Sequence, residues 1–319
     1  MKYDFLLLDC YNIFYKASSG KPERIINYSG EKFHIEGIVA FFNLVQDYIK
    51  KFLADSGKVY WLMDNAKTQI KKLRKMLSED YKKTRLEQPT WFYREIDLIE
   101  LILKYFRDDS FLFRIKSIEA DDFCTAIIDN YVTPDKTALM ISEDMDWCRG
   151  LAENIHQYKD GKIYTKEVFK EKYGFEATYS NICLFKTFYG DEVDNIKPSL
   201  LTLPKPYFLE IIKEFDHINI FLNMVENNKI PYLDDGWRLN IMNHADLMRL
   251  NWELVTSIDL TFQDLSIYQY SCKFQENKLR IVYEDLDLYE MDPRFAKKVN
   301  KKSELLDALL SGEELGRVL

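Results

Sequence analysis

The chain has five cysteines, Cys10, Cys124, Cys148, Cys183 and Cys272, widely spaced over 319 residues and without a C-x-x-C pair. With only four histidines and no His/Cys grouping, a zinc module or disulfide framework of the usual spacings is excluded, and the cysteines read as reduced and mostly buried. Long apolar runs are missing too. The N-terminal stretch MKYDFLLLDCYN has four consecutive apolar residues before Asp9, too few for a signal peptide or a membrane span. A soluble, intracellular, cytoplasmic protein is expected. Internal repeats and low-complexity tracts are absent. So is an excess of positive charge: 44 Lys and Arg stand against 52 Asp and Glu, for a net charge of -8. That balance disfavours a nucleic-acid partner on average, because phosphate binding relies on clustered cations. The objection lapses where acids gather at one site and bases on another face.

What is present is 47% hydrophobic residues, enough for a large core, one α/β domain and a smaller appended one. Phe5-Leu6-Leu7-Leu8 is an apolar run ending at Asp9, which suits a strand buried on both faces of a parallel sheet. Ile38, Phe41, Phe42, Val45, Ile49 and Phe52 mark an amphipathic helix. Val59 to Met63 is a second buried strand, ending at Asp64. A helix at 91–106, a strand at 111–113, a helix opening at Glu119, a strand at 137–141, a hairpin near Asp160-Gly161 and helices near 165–173 and 180–190 follow. The alternation predicts a mainly parallel sheet with helices on both faces. Beyond 190 the pattern predicts mostly helices at 209–215, 218–225 and 252–260, a strand pair within 267–284 and a terminal amphipathic helix at 303–319.

Acids recur at the strand tips. Asp9, Asp64, the Glu119/Asp121/Asp122 group and the Asp144/Asp146 pair each follow an apolar run, and Asp191/Asp194 add a fifth cluster. In open α/β sheets ligands bind beyond the carboxyl ends of the strands, where such acids can converge. A lone acid there is most often a helix cap. Caps account for one acid per helix, not for groups of three, two and two. So many carboxylates in one cleft would repel without a compensating cation. Mg²⁺ prefers oxygen ligands, and two such ions suit phosphodiester cleavage.

A basic island lies between Asp64 and Trp91. Lys67, Lys71, Lys72, Arg74, Lys75, Lys82, Lys83 and Arg85 stand against Glu79 and Asp80, and Lys67, Lys71, Arg74 and Lys75 recur at helical spacing. One face could follow a nucleic-acid backbone, with Tyr81 offering a ring for base stacking. A charge run is more often a solvated face. The neighbouring acids favour substrate binding.

In this order the motifs resemble the flap-endonuclease and 5′-3′ exonuclease superfamily, and most the bacteriophage ribonuclease H type. Leu6-Leu7-Leu8-Asp9, Leu62-Met63-Asp64-Asn65-Ala66-Lys67, Tyr81-Lys82-Lys83-x-Arg85, Glu119-Ala120-Asp121-Asp122, Ser142-x-Asp144-x-Asp146 and Gly190-Asp191-x-x-Asp194-Asn195 carry the resemblance across about 195 residues. It implies a PIN-like nuclease domain over 1–190 with a helical arch at about 65–92, and a smaller, mostly helical DNA-binding domain over 191–319. It further implies a metal-dependent 5′-nuclease for DNA flaps or RNA primers in replication or repair. Asp64, Glu119, Asp121 and Asp144 would hold the first of two Mg²⁺ ions, which Mn²⁺ replaces. Asp146, Asp191 and Asp194 would serve the second, with Asp9 and Asp122 acting through water. Lys82 would contact the scissile phosphate, with Arg85 beside it. The implied partners are DNA or RNA/DNA with 5′ ends, and a single-stranded-DNA-binding protein or sliding clamp. A monomer is expected, in the host-cell cytoplasm if phage-encoded. One stretch departs from the pattern: Ile196 to Pro204 has no glycine, which a tight hairpin presenting amides to phosphate and potassium usually needs.

Three other readings compete. A PIN-type single-strand ribonuclease shares the sheet but is normally shorter. A catalytically silent DNA-binding protein would have no use for the acids, and a phosphatase with an Asp nucleophile would want a second Asp where Tyr11 stands.

Overall fold

A computed structural model describes residues 1–19, 24–28, 31–64, 73–84, 88–115, 118–200 and 202–286. The first strand, β1 (Tyr3–Asp9), runs into α1 (Cys10–Ser18). A hairpin of β2 (Ile25–Tyr28) and β3 (Glu31–His34) leads to α2 (Ile35–Phe52) and β4 (Leu53–Leu62). Short α3 (Leu73–Leu77), α4 (Thr90–Phe106), β5 (Ser110–Phe113), α5 (Ala120–Tyr131) and β6 (Ala138–Ile141) follow. A 3-10 turn at Asp146–Gly150 precedes the hairpin of β7 (Ile155–Lys159) and β8 (Lys162–Tyr164), then α6 (Lys166–Tyr173) and α7 (Tyr179–Tyr189). The rest comprises α8 (Lys205–Glu214), α9 (Ile218–Glu226), α10 (Asp235–Asn243), α11 (Ala245–Val255), α12 (Phe262–Tyr268), β9 (Gln269–Cys272) and α13 (Glu276–Asp285).

Seven strands form one sheet in the order β8-β7-β6-β1-β4-β5-β9. Neighbours from β7 to β5 pair in parallel, and only the edge strands β8 and β9 are antiparallel. The continuous apolar run of β1 has its cause here: Leu6, Leu7 and Leu8 are fully buried, because the two faces of the sheet serve two cores. Leu7, Tyr60, Leu62 and Met140 face one core with α5, α7 and the later helices. Leu6, Leu8, Trp61 and Ile141 face the other with α1, α2 and α4. The predicted α/β class, mainly parallel sheet and flanking helices stand.

One reading changes. The strand pair expected within 267–284 is one strand, β9, which pairs with β5, followed by α13. Alternation in Gln269–Cys272 signals a strand but not its partner, which lies about 160 residues upstream. The β2–β3 hairpin and α1 were not anticipated. The terminal helix at 303–319 and residues 65–72 and 85–87 of the arch, including Lys67, Lys71, Lys72 and Arg85, lie outside the described residues. All five cysteines are buried, and no helix among the described residues is long and apolar enough to cross a membrane.

Candidate metal centre

Three adjacent parallel strands deliver the first acids. β1 pairs with β4 on one side and β6 on the other, with Asp9 opposite Leu62 and Leu8 opposite Ile141. Asp9, Asp64 and Asp144 therefore emerge from neighbouring strand ends. With Asp121, Asp146 and Lys82 they line one cleft, floored by Ala120 and Trp147.

Each acid is oriented. Asp9 caps α1, accepting from the Asn12 amide at 3.0 Å and from Ser142 Oγ at 2.8 Å. Asp64 accepts from the Ala120 amide at 2.8 Å, which ties the end of β4 to the start of α5. The Asp144 amide donates to Ser142 Oγ, and Asp144 accepts from the Asp146 amide at 2.9 Å. Buried Gln157 donates to the carbonyls of Ser142 and Asp144, both at 2.8 Å, bracing that loop from β7. Burial, then Asp64, pushes the Asp9 carboxyl up to about 7, and burial, then Asp146, pushes Asp144 up to about 6. Like charges crowd around both, and among the described residues no Lys or Arg makes an ion pair with Asp9 or Asp144.

The remaining acids are balanced by buried cations. Lys186 of α7 bridges Asp146 and Asp191, lying 2.6 Å from the latter. Arg149 Nη2 donates to Asp121 Oδ2 at 2.7 Å and approaches Asp146 at 3.6 Å. Burial pushes Asp146 up, but Arg149 and Lys186 outweigh it and hold this carboxyl well below the usual range. Lys82 Nζ lies 2.8 Å from Glu119 and 3.7 Å from Asp194. Its residue adopts φ 55°, and its amide donates to the Asp194 carbonyl at 2.8 Å. Asn195 donates to the Asp80 carbonyl at 2.8 Å, so the loop after Gly190 clips onto the Lys82 turn. Gly190 itself, at φ 78°, leaves no room for a Cβ, which would lie 2.5 Å from the Ile196 carbonyl oxygen.

Three expectations change. Asp122 does not reach the cleft: it is fully buried, closes a capping box with Glu119 and accepts from Arg74 and the Ile258 amide. An acid at N3 is at capping-box position, and that local rule wins here. Arg74 does not lie on an exposed basic face. It is buried and donates to Glu119 and Asp122, each at 2.7 Å, and to the Thr256 carbonyl at 2.9 Å. Tyr81 offers no ring for stacking, being buried with its hydroxyl 3.1 Å from Glu119 and 3.0 Å from Asp194. Lys75 is exposed, and Lys83 is exposed with an ion pair to Asp80.

Arg149 and Lys186 escaped the sequence reading. Each is a cation inside an apolar stretch, Trp147-Cys148-Arg149-Gly150-Leu151 and Ile182-Cys183-Leu184-Phe185-Lys186, and a charge at a core position is the signal that could have found them.

The donor set fits a hard divalent cation. Asp146, Asp191 and Asp194 each present one oxygen, the three lying within 4.8 Å of one another, and the strand-tip acids add only oxygen donors. The glycine-free segment is pinned at Lys197 by Asn251 of α11, which donates to the Lys197 carbonyl at 2.8 Å and to the Thr187 carbonyl of α7 at 3.1 Å.

Residues 4–174 match the family described as 5′-3′ exonuclease, N-terminal resolvase-like domain. Among curated proteins no match was found. Among solved structures the fold is similar to a bacteriophage T5 flap endonuclease in a pseudo-enzyme–product complex with DNA and metal ions, at TM-score 0.60 and 16% identity, covering 97% of this chain and 99% of that one. It is also similar to a bacteriophage T5 protein co-crystallised with metal ions, at TM-score 0.59 and 19% identity, covering 79% of this chain and 88% of that one.

Proposed function

The chain belongs to the 5′-3′ exonuclease N-terminal resolvase-like family, and from that premise we propose that it is a metal-dependent, structure-specific 5′-nuclease acting on DNA flaps or RNA primers in replication or repair. One observation carries the reading: Asp9, Asp64 and Asp144, from three adjacent strand ends, share a cleft with Lys82. Asp64, Asp121 and Asp144 would hold one cation, joined by cleft-lining Asp9 in place of the expected Glu119, whose carboxylate is engaged by Arg74, Tyr81 and Lys82; Asp146, Asp191 and Asp194 would hold the other. Bound Mg²⁺, or Mn²⁺ in its place, supplies positive charge against the charge that develops on the phosphoryl oxygens.

The chain's own residues position the phosphodiester. Lys82 points its ammonium into the cleft from a turn locked by the Asp194 carbonyl, and there it would donate to the scissile phosphate. Glu119 holds that ammonium in place at 2.8 Å and is itself fixed by Arg74 and Tyr81, so the cation is aimed before substrate arrives. Lys75 and Lys83, exposed on either side of that turn, would meet flanking phosphates.

Digestion of labelled 5′-flap, nicked and blunt DNA, and of a single-stranded RNA of equal length, tests the proposal. Cleavage of the flap that requires Mg²⁺ and outpaces the RNA is expected. Equal or faster cutting of the single-stranded RNA would support the PIN-type ribonuclease instead, and no cutting of any substrate would remove the enzyme reading.

A further inference from the structure

On the premise that these acids hold divalent cations, we propose that Arg149 is a positioning residue for the metal centre, aimed by the C-terminal end of α11 so that the later helices help set cation affinity. The Arg149 side chain is 1% exposed and each nitrogen of its guanidinium donates a hydrogen bond. Nη2 donates to Asp121 Oδ2 at 2.7 Å, Nε donates to the Asp146 carbonyl at 2.8 Å, and Nη1 donates to the Val255 carbonyl. The Tyr179 ring lies 5.9 Å away, and the Tyr179 hydroxyl accepts from the Ser257 amide at 2.7 Å.

Val255 is the last residue of α11, whose closing carbonyls are the negative end of the helix dipole and lack partners within the helix. Two of the site's cations satisfy this end: Arg149 at Val255 and Arg74 at Thr256. The Ile258 amide then reaches Asp122 at 3.0 Å. The turn at 255–258 is thus built into the floor of the centre. Arg149 thus engages Oδ2 of an acid that lines the cleft. A group that orients a ligand in this way typically changes metal affinity ten- to a hundredfold when removed.

The test is Mn²⁺ titration of the full chain, followed by the electron paramagnetic resonance of free Mn²⁺, for wild type, Arg149→Met and Arg149→Lys. Far-UV circular dichroism and metal-free melting are recorded alongside. Wild type should bind Mn²⁺. Arg149→Met should bind roughly 10–100-fold more weakly while folded, and Arg149→Lys, which keeps the charge and loses the fork, should fall between. An Arg149→Met protein that melts lower but binds Mn²⁺ as wild type does would make the residue purely structural. Tighter binding would make it a counter-ion that competes with the metal. Either overturns the proposal. If Arg149→Met does not fold, Arg149→Lys decides, and wild-type affinity there overturns it. Failure of wild type to bind Mn²⁺ is a separate result that removes the metal-centre premise itself.

Discussion

The strand-tip acids Asp9 and Asp144 and the helix-side acids Glu119, Asp122, Asp146 and Asp191 share one site but are built on opposite principles. Asp9 and Asp144 receive hydroxyl and amide donors only, and among the described residues no Lys or Arg pairs with either. Their carboxyls are pushed up to about 7 and about 6. The helix-side acids are held by buried Arg74, Arg149 and Lys186, and by Lys82. Charge is balanced internally on the helix side, including at Asp146 and Asp191. At the strand-tip acids Asp9 and Asp144 no Lys or Arg among the described residues makes an ion pair.

The largest effect should come from the unbalanced side. Asp144→Asn should reduce Mg²⁺-dependent flap cleavage by about three orders of magnitude or more, with DNA binding by fluorescence anisotropy preserved; near-normal cleavage would erase the distinction. Next, Lys82→Ala should slow single-turnover cleavage roughly 10²–10³-fold while leaving Mn²⁺ affinity close to wild type. A loss of metal binding equal to the loss of rate would show that Lys82 serves the floor and not the phosphate.

The balanced side should answer in stability. Arg74→Ala strands two buried carboxylates and should destabilise the fold by about 3–5 kcal/mol, read from urea midpoints without metal. An unchanged midpoint would mean that the floor does not depend on its cations.

The smallest effect comes from Glu95, which repeats the unbalanced case away from the cleft. It is fully buried, accepts from the His34 amide and lies 3.0 Å from the His34 ring Nδ1, and burial lifts it to about 8. An acid whose folded pKa lies above its unfolded value costs stability as pH rises from the unfolded value through the folded one. Glu95→Gln should therefore melt above wild type at pH 9, with the gap closing toward pH 5. A gap independent of pH would contradict that origin.

Much of this was legible in the residues, for identifiable reasons. Apolar runs ending in acids revealed β1, β4 and β6 and the cleft at their ends, because buried parallel strands need continuous hydrophobicity and their tips are where ligands bind. The balance of the site was not legible. Arg74 falls in a run of lysines that reads as a solvated face, and only its packing beneath Glu119 and Asp122 shows its task. Lys186 and Arg149 sit alone among apolar residues, and their partners lie on other elements of the fold. Asp122 looks like its neighbour Asp121, yet one position along α5 turns it from the cleft to the helix cap. The β9 pairing with β5 was hidden for a related reason, since alternation marks a strand without naming its neighbour.

The central claim is that these carboxylates gather to bind divalent cations. Anomalous scattering from a crystal soaked in Mn²⁺ tests it most directly. Two peaks are predicted, one beside Asp9, Asp64 and Asp144 and one beside Asp146, Asp191 and Asp194; a cleft without a peak at saturating Mn²⁺ would contradict the account.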